Sequence, residues 1–229
     1  MEYITLPRSL PSETQFDRLV NKYKDFRLLS MAQSPGSFGS TLAREESFPR
    51  ETWVSRVKNP LATNLVAVVR PPGLDSPSAE GKLELILEQP WLASLTLVGP
   101  LDPAKAEEMY GKAMHIAPGM SSFGPAEEAT GIKWQFALNA MYVVPEGRGR
   151  GLAKGIVKSA LQLAVSMGEG QGVRVLLLVD HDNEAARAVY KSSGFEVTHR
   201  YWFDDHRVGR SGRTEAAVMK LDTDGRCSR

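Results

Sequence analysis

The chain has 229 residues, of which 42% are hydrophobic and 24% charged, enough apolar content for one sizeable core. A formal net charge of +1 gives no general reason to expect a nucleic acid or an anionic membrane as a partner, so any anion binding must be local. Cys227 is the only cysteine, which excludes an intramolecular disulfide and a cysteine-based metal site and is typical of a reducing compartment. We therefore expect a soluble, cytoplasmic protein.

The N-terminal half predicts three strands and two helices. The strands are indicated by short apolar or β-branched runs that end at proline or glycine, at residues 3–6, 64–70 and 93–98. A first helix is indicated after Pro11-Ser12 by apolar residues at three- and four-residue steps, namely Phe16, Leu19, Val20, Tyr23, Phe26 and Leu29. Residues 41–57 predict a second helix that is interrupted near Pro49. Residues 74–81 predict a loop, so that the second and third strands are neighbours joined by a long connection.

A long connection at about residues 100–133 follows the third strand. Asp102-Pro103 is typical of a helix cap and first turn, and it predicts a helix over residues 102–114. Residues 117–130 are small and polar with two glycines and two prolines, so we expect an irregular segment there. Two interpretations stay open for it, a solvated excursion or a lid over a substrate site, because long connections are often functional.

Residues 134–195 carry the most informative pattern. A strand at 134–144 leads into a loop rich in glycine and arginine, and apolar residues at helical spacing follow from Leu152 to Met167. The run 173–179 is apolar on nearly both faces, as expected for an interior strand that follows a crossover helix. We therefore predict a βαβ unit with a right-handed connection.

The loop between this strand and helix is suited to bind a phosphate group. Glycine lets the backbone turn its N–H groups toward a ligand, and the unpaired N–H groups of a helix start add about half a positive charge. Arg148, Arg150 and Lys154 add cationic side chains. A side chain at Gly149 or Gly151 would obstruct the close approach of a phosphate group.

Another helix and two strands complete the chain. The helix follows residues 180–183, with Asn183, Ala186 and Tyr190 on one face and Gly194 placed as its C-cap. Residues 197–203 and 216–221 predict the final strands, joined by a basic, glycine-containing loop.

Two motifs in this half resemble those of a known family. Val143-x-Pro145-x-x-Arg148-Gly149-x-Gly151-x-Ala153 resembles the acetyl-CoA signature of the GNAT superfamily of N-acetyltransferases. Asn183-x-x-Ala186-x-x-x-Tyr190-x-x-x-Gly194-Phe195 resembles its second signature, in the right order and spacing. The resemblance implies a single domain over residues 1–229 with a cofactor-binding core at about 134–198. It also implies an α/β fold with a mixed, mostly antiparallel sheet of about six or seven strands and helices on both faces, in which the fourth and fifth strands, here 134–144 and 173–179, splay apart.

The resemblance further implies where acetyl-CoA binds. The pantetheine arm would pair with the backbone of the fourth strand, and the loop and helix start would hold the pyrophosphate. The cofactor-binding residues expected on this basis are Met141, Tyr142, Val143, Arg148, Gly149, Arg150, Gly151, Leu152, Ala153, Lys154, Asn183 and Ala186. Asn183 has a structural alternative, because it could simply cap the helix that follows.

Tyr190 stands where the family keeps its general acid. An amine that attacks a thioester must lose a proton, and the departing thiolate is helped by gaining one. A phenol with a pKa of about 10 stays protonated at neutral pH and can donate to a thiolate whose conjugate acid has a pKa of about 8.5. The structural alternative for Tyr190 is a core aromatic residue on a helix that faces the sheet.

No general base is assigned from the sequence. The candidates are Glu127, Glu128, Asp180, His181 and Asp182. Asn139 occupies a strand position where some relatives carry a carboxylate, and loss of the proton through ordered water to solvent is equally compatible with the sequence.

Other phosphate-binding and metal motifs fit less well. A dinucleotide-binding unit asks for Gly-x-Gly-x-x-Gly, but Lys154 stands at the third position, and no Gly-Lys-Ser/Thr of a P-loop follows. The four histidines, His115, His181, His199 and His206, show no spacing that suggests zinc.

We therefore expect an acyl-CoA-dependent N-acyltransferase that transfers an acetyl group from acetyl-CoA to a primary amine and holds no metal. A small-molecule acceptor is preferred, because the long connection and the early helices could close the acceptor groove. A protein or peptide amine as acceptor and a non-catalytic acyl-CoA sensor or scaffold are the alternatives. Neither nucleic acid nor membrane is expected as a partner, and a homodimer is compatible with the sequence.

Overall fold

The computed structural model describes residues 1–71, 78–111, 131–205, 207, 209, 210 and 212–224. The chain divides into two compact units. Unit 1 comprises Met1–Thr96, Ala140–Ile156 and His206–Ser211, and unit 2 comprises Leu97–Asn139, Val157–Asp205 and Gly212–Arg229.

Strands and helices alternate along most of the chain. In order they are β1 (Glu2–Thr5), α1 (Glu13–Gln33), α2 (Leu42–Glu46), α3 (Arg50–Lys58), β2 (Ala62–Val68), α4 (Ala79–Glu88), β3 (Trp91–Leu101), α5 (Pro103–Ala106), β4 (Ile132–Val143), α6 (Leu152–Met167), β5 (Gly172–Asp180), α7 (Glu184–Ser192), β6 (Glu196–Asp204) and β7 (Arg213–Thr223). Short 3-10 turns at Pro35–Ser37 and Pro145–Gly147 and a π-helical turn at Glu107–Gly111 complete the elements of the described residues.

The strands form one seven-stranded sheet in the order β1-β2-β3-β4-β5-β7-β6. Strand β1 pairs with β2, β5 with β7 and β6 with β7 in antiparallel fashion, whereas β4 and β5 are parallel. A parallel pair needs a long crossover connection, and α6 provides it. The predicted fold class, a mixed sheet of six or seven strands with helices on both faces, is confirmed.

The pairing of β4 with β5 stops before either strand ends. Their paired register runs from Ile132 to Leu138 on β4 and from Gly172 to Leu177 on β5, whereas β4 continues to Val143 and β5 to Asp180. Ala140 lies in the continuation of β4 with a φ of 52°, a left-handed conformation that is uncommon for a residue with a side chain. The pairing therefore ends in the region where the resemblance implies that the fourth and fifth strands splay apart.

Helix α1 is the centre of the helical packing in unit 1. It contacts α2, α3 and α4, and both α3 and α4 pack on β2. Most of its predicted apolar face is buried, but Leu29 is 41% exposed, so that part of the prediction is wrong. The buried face continues through Ser30 and Met31 instead.

Two predicted segments differ from the structure. The last part of the loop predicted at 74–81 is wrong, because helix α4 starts at Ala79 after Ser78, whose Oγ accepts a hydrogen bond from the Gly81 N–H at 3.2 Å. The helix predicted from Asp102 begins as expected, with Asp102 Oδ1 accepting from the Lys105 N–H at 2.9 Å, but gives way to the π-helical turn after α5. Its end, the irregular segment 117–130 and the lid hypothesis lie outside the described residues.

Unit 2 is built around β5, which lies between β4 and β7 and is buried along most of its length. Arg174 of β5 is buried, and its guanidinium donates to both carboxylate oxygens of Asp222 on β7, at 2.7 and 2.9 Å. The buried charge is therefore paired by a bidentate bond. A search of the described helices finds no segment with the length and hydropathy that a transmembrane span requires.

Candidate functional site

The glycine- and arginine-rich loop lies in unit 1, between the end of β4 and the start of α6. Its first part is a turn in which the Arg148 N–H donates to the Pro145 carbonyl at 3.1 Å. Gly149 and Gly151 follow with φ values of 70° and 77°, which residues with side chains rarely adopt. A Cβ at either position would meet no atom within 4 Å, so the space above the two glycines is open.

The backbone N–H groups of residues 149–154, in the second part of the loop, have no acceptor among the described residues. The first hydrogen bond of α6 runs from the Gly155 N–H to the Gly151 carbonyl at 3.0 Å. Within the described part of the chain, the N–H groups of residues 149–154 donate no hydrogen bond. Unpaired N–H groups at the start of a long helix attract an anion, and these residues are the ones predicted to hold a pyrophosphate.

The cationic side chains of the loop divide into two kinds. Arg148 is anchored, because its Nε donates to the Val143 carbonyl at 3.2 Å and its Nη2 to Ser34 Oγ at 3.5 Å. Arg150 and Lys154 are exposed, and neither has an ion-pair partner in the ranges that the structure describes. Their charges are therefore available to a ligand.

The end of β4 supplies the strand residues predicted to contact the cofactor. The Tyr142 side chain is buried in unit 1, where its ring packs against Phe26 and Phe38 and its hydroxyl donates to Gln33 Oε1. Burial raises the pKa of the Tyr142 phenol. A contact from Tyr142 to a cofactor would therefore come from its backbone, and Met141 and Val143 on either side are half-buried.

Gly155 fixes how closely helix α6 packs on β1. A Cβ at Gly155 would lie 1.8 Å from the Tyr3 hydroxyl oxygen. Gly155, which stands one position too late for the third glycine of a dinucleotide-binding motif, thus has a packing role. It allows helix α6, which follows the loop, to pack closely on β1.

Helix α7 of unit 2 carries the second set of predicted residues. Asn183 is its N-cap, with Oδ1 accepting from the Ala186 N–H at 3.1 Å, which confirms the structural alternative for this residue. Gly194 follows the helix with a φ of 94°, as predicted for its C-cap. A role of Asn183 and Ala186 toward a cofactor stays a prediction.

Tyr190 lies in the last turn of α7 and is buried. Its ring packs against Phe195 in an edge arrangement, with centroids 5.8 Å apart. Burial raises the pKa of the Tyr190 phenol well above its ordinary value, so the group stays protonated at neutral pH. Both predicted roles, a proton donor and a core aromatic residue, are compatible with this environment.

Of the five candidates for a general base, the structure describes three, which are consecutive residues of unit 2. Glu127 and Glu128 lie outside the described residues. Asp180 ends β5, and His181 and Asp182 follow it in a turn. His181 Nδ1 lies 2.9 Å from Arg187 Nη1, and its Nε2 lies 3.8 Å from Glu215 Oε2. Among the described residues, no group of three His, Cys, Asp or Glu side chains is arranged to hold a metal ion.

Unit 1 contains a cavity that the sequence does not reveal. It has a volume of about 20 Å³, enough for one water-sized group, and is lined from α1, β2, β3 and Ala140 of β4. Its lining is apolar except for five residues, Tyr23, Arg27, Asn64, Ser94 and Thr96. Asn64 and Thr96 are polar residues in largely apolar strands, which is the signal that sequence reasoning could have used.

Arg27 links this cavity to a buried ion network. Its Nε and Nη2 donate to the Glu45 carboxylate at 3.0 and 2.8 Å, and Arg56 Nη1 donates to the same carboxylate at 2.8 Å. Burial of Glu45 would raise its pKa, but the hydrogen bonds from Arg27 and Arg56 outweigh burial and lower it to about 2. Two guanidinium groups and one carboxylate leave the network with one surplus positive charge.

Comparisons with known proteins agree with the sequence motifs. Residues 133–203 match the family model of the FR47-like protein. No curated protein matches the sequence significantly.

Solved structures resemble the chain over nearly its whole length. The acetyltransferase of the GNAT family from Streptococcus pneumoniae has a TM-score of 0.57 and 11% identity, covering 97% of this chain and 100% of that one. Arabidopsis thaliana NAA60 in complex with acetyl-CoA has a TM-score of 0.54 and 14% identity, covering 96% and 97%. Mutant forms of the Vibrio cholerae spermidine/spermine N-acetyltransferase SpeG have a TM-score of 0.54 and 10% identity, covering 96% and 92%.

At these low sequence identities, the similarity to the solved structures shows only that the fold is shared. The fold agrees with the family match over residues 133–203 and with the two motifs that flank α6 and β5. The chain thus shares the fold of the acetyltransferase of the GNAT family from Streptococcus pneumoniae.

Proposed function

We propose that the chain is an N-acetyltransferase that uses acetyl-CoA and acetylates a primary amine. The observation that carries this proposal is the row of N–H groups at residues 149–154, which have no acceptor among the described residues and stand at the start of a long helix. The open space above Gly149 and Gly151 leaves room for a pyrophosphate to approach them.

The residues that would hold acetyl-CoA follow from this arrangement. The N–H groups of residues 149–154 would donate to the pyrophosphate, with Arg150 and Lys154 as further cations. The backbone of residues 141–143 lies beyond the paired register of β4 and β5 and would bind the pantetheine arm. When bound, acetyl-CoA supplies a thioester whose carbonyl carbon is open to attack by an amine.

Tyr190 is proposed as the general acid for the departing thiolate. Its raised pKa keeps the proton on the phenol across the neutral range, so the donor form is always populated. The same burial favours a second candidate, an acyl-CoA-binding protein without transfer in which Tyr190 is only a core residue.

The acceptor is proposed to be a small-molecule amine. The Vibrio cholerae neighbour is named for its polyamine acceptors, and one Arabidopsis thaliana NAA60 structure contains a bisubstrate analogue. A fold by itself does not determine the acceptor, so the choice must come from local residues in each protein.

Two measurements test the proposal. Isothermal titration calorimetry with acetyl-CoA should show binding, and a thiol-reactive dye should report CoA release in the presence of an amine panel. A protein that gives no binding heat with acetyl-CoA contradicts the whole proposal. Binding without CoA release from any amine would favour the non-catalytic candidate.

A further inference from the structure

We infer that the outer edge of strand β6 pairs with the same edge of a second copy of this chain, across a twofold axis at Trp202. This inference goes beyond the proposed function and does not depend on acetyl-CoA. Strand β6 ends the sheet, and among the described residues no strand pairs with the edge that faces away from β7. Such an edge presents main-chain N–H and C=O groups to another chain.

The hydrogen bonds of β7 show how the main chain of β6 is oriented. Trp202 lies opposite Glu215, whose carbonyl accepts from the His181 N–H at 2.7 Å and therefore faces away from β6. Opposite residues of an antiparallel pair are alternately bonded and not bonded, so the N–H and C=O of Trp202 face the outer edge. The same alternation follows from the hairpin, where the Asp205 N–H donates to the Gly212 carbonyl at 2.8 Å.

The part of β6 that can pair outward is short and symmetric. Residues 200 and 204 share the outward orientation of Trp202, because they lie two positions away on a regular strand. A register shift between Val197 and His199 interrupts the strand before residue 200, and β6 ends at residue 204. An antiparallel copy that uses the whole segment must therefore place Trp202 opposite Trp202.

The side chains of this segment complement those of a second copy. Trp202 is 53% exposed, the largest exposed fraction of any large hydrophobic residue in the described chain, and it would pack on its own copy. Arg200 would lie opposite Asp204 of the second copy, and symmetry makes this ion pair twice. On the other face of the strand, Tyr201 would lie opposite Phe203. Opposite charges and aromatic pairs across neighbouring strands stabilise their pairing.

Charge selects this register over its neighbours. An axis at Arg200 would place Arg200 opposite itself and Asp204 opposite Glu196, which are like charges. An axis at Tyr201 would place Arg200 opposite Trp202 and would form no ion pair between Arg200 and Asp204. In the described structure Arg200 is exposed and has no ion-pair partner, so its charge is available to the second copy.

Arg213 makes contacts that association would displace. Its Nη2 donates to the Trp202 carbonyl at 3.4 Å, and its Nε lies 3.7 Å from Asp204 Oδ1. Both distances are long and both charged side chains are exposed, so these contacts are weak. A main-chain N–H of the second copy can replace the first of them at a normal length of about 2.9 Å.

Sedimentation velocity over a concentration series tests the pairing by charge reversal. The wild-type protein should pass from 25.2 kDa to twice that mass as its concentration rises. Arg200→Glu and Asp204→Arg should each raise the dimer Kd by about tenfold or more, because attractive pairs become repulsive. The variant with both changes restores opposite charges and should recover the wild-type Kd. Lys158→Glu, the same reversal at an exposed position of α6, is the matched control and should leave the Kd unchanged.

Amide hydrogen exchange of the wild-type protein, resolved by NMR, tests the register without any variant. The N–H groups of Arg200, Trp202 and Asp204 should gain protection as the concentration rises. Those of Tyr201 and Phe203 face β7 and should be protected at every concentration.

Three results would overturn the inference. They are a monomer at every concentration, a doubly reversed variant that is folded by circular dichroism but dimerises no better than the single ones, and protection that does not alternate along β6. The first result would leave this edge to a different partner chain, and the other two would place the contact between copies elsewhere.

Discussion

Gly151 and Gly170 have similar backbone conformations and open surroundings, but they lie in different loops. Their φ values are 77° and 78°, and a Cβ at either would meet no atom within 4 Å. Replacement by alanine should therefore cost about 1–2 kcal/mol of stability at both positions. Only Gly151→Ala should weaken acetyl-CoA binding, by about tenfold or more, because only Gly151 lies in the proposed pyrophosphate loop.

Calorimetry with acetyl-CoA and urea unfolding of both variants check this prediction. Gly170→Ala serves as the control for backbone strain. Equal affinities of the two variants for acetyl-CoA would mean that the loop conformation at Gly151 is not part of the binding site.

Tyr190→Phe separates the two roles of the buried phenol. If Tyr190 is the proton donor, loss of its hydroxyl should lower kcat by about 10²–10⁴-fold while KM changes little. The ring contact with Phe195 is retained, so the melting temperature should stay near that of the wild type. Tyr3→Phe removes a hydroxyl from β1 and is the control. An unchanged kcat in Tyr190→Phe would leave only the core role.

The ion network of Glu45 joins three helices, because Arg27 lies on α1, Glu45 on α2 and Arg56 on α3. The pKa of Glu45 is lowered from 4.5 to about 2 in the folded protein, so the unfolded chain binds the proton more tightly. The stabilisation is therefore fully present above about pH 4.5 and is lost as the pH falls toward 2. The shift corresponds to about 3 kcal/mol.

Urea unfolding between pH 3 and pH 7 checks this prediction. Glu45→Gln should be less stable at pH 7 but should lose less stability on acidification. The pKa of Asp222 is also lowered, because the Arg174 hydrogen bond outweighs burial. Asp222 is present in both proteins, so its contribution cancels in the difference between their free energies of unfolding. Parallel pH curves for the two proteins would contradict the assigned role of Glu45.

Elements that depend on local pattern were predictable, and those that depend on distant partners were not. The strands followed from β-branched runs, and the loop from its glycines and arginines. Helix α4 was missed because Gly81 in its first turn looks like a loop residue, although Ser78 caps it. The cavity could not be predicted, because Arg27, Asn64 and Thr96 come together only in the folded chain.

At the scale of the whole molecule, both units share elements. Strands β3 and β4 and helix α6 each begin in one unit and end in the other. A single domain over residues 1–229 stays a prediction. Because unfolding one unit would break elements of the other, we expect one cooperative transition.

A variant with Trp134 and Trp202 replaced by phenylalanine checks this expectation. Its fluorescence then comes from Trp53 and Trp91, both buried in unit 1. Hydrogen exchange of β5 and β7 peptides in the same urea series reports on unit 2. The urea midpoint from fluorescence should coincide with the midpoint from hydrogen exchange. Separated midpoints would show that the units unfold independently.

Because unit 1 is built from separate segments of the chain, it cannot fold completely until late in its synthesis on the ribosome. Its first segment ends at Thr96, but the piece that holds Gly155, on which Tyr3 packs, runs to Ile156. At about 5–20 residues per second, the nascent chain leaves β1, β2 and α1 without this piece for roughly 3–12 s. During that interval their apolar surface is exposed to chaperones and to other nascent chains. We therefore expect the rate of translation and the growth temperature to change the fraction of this protein that reaches its native state.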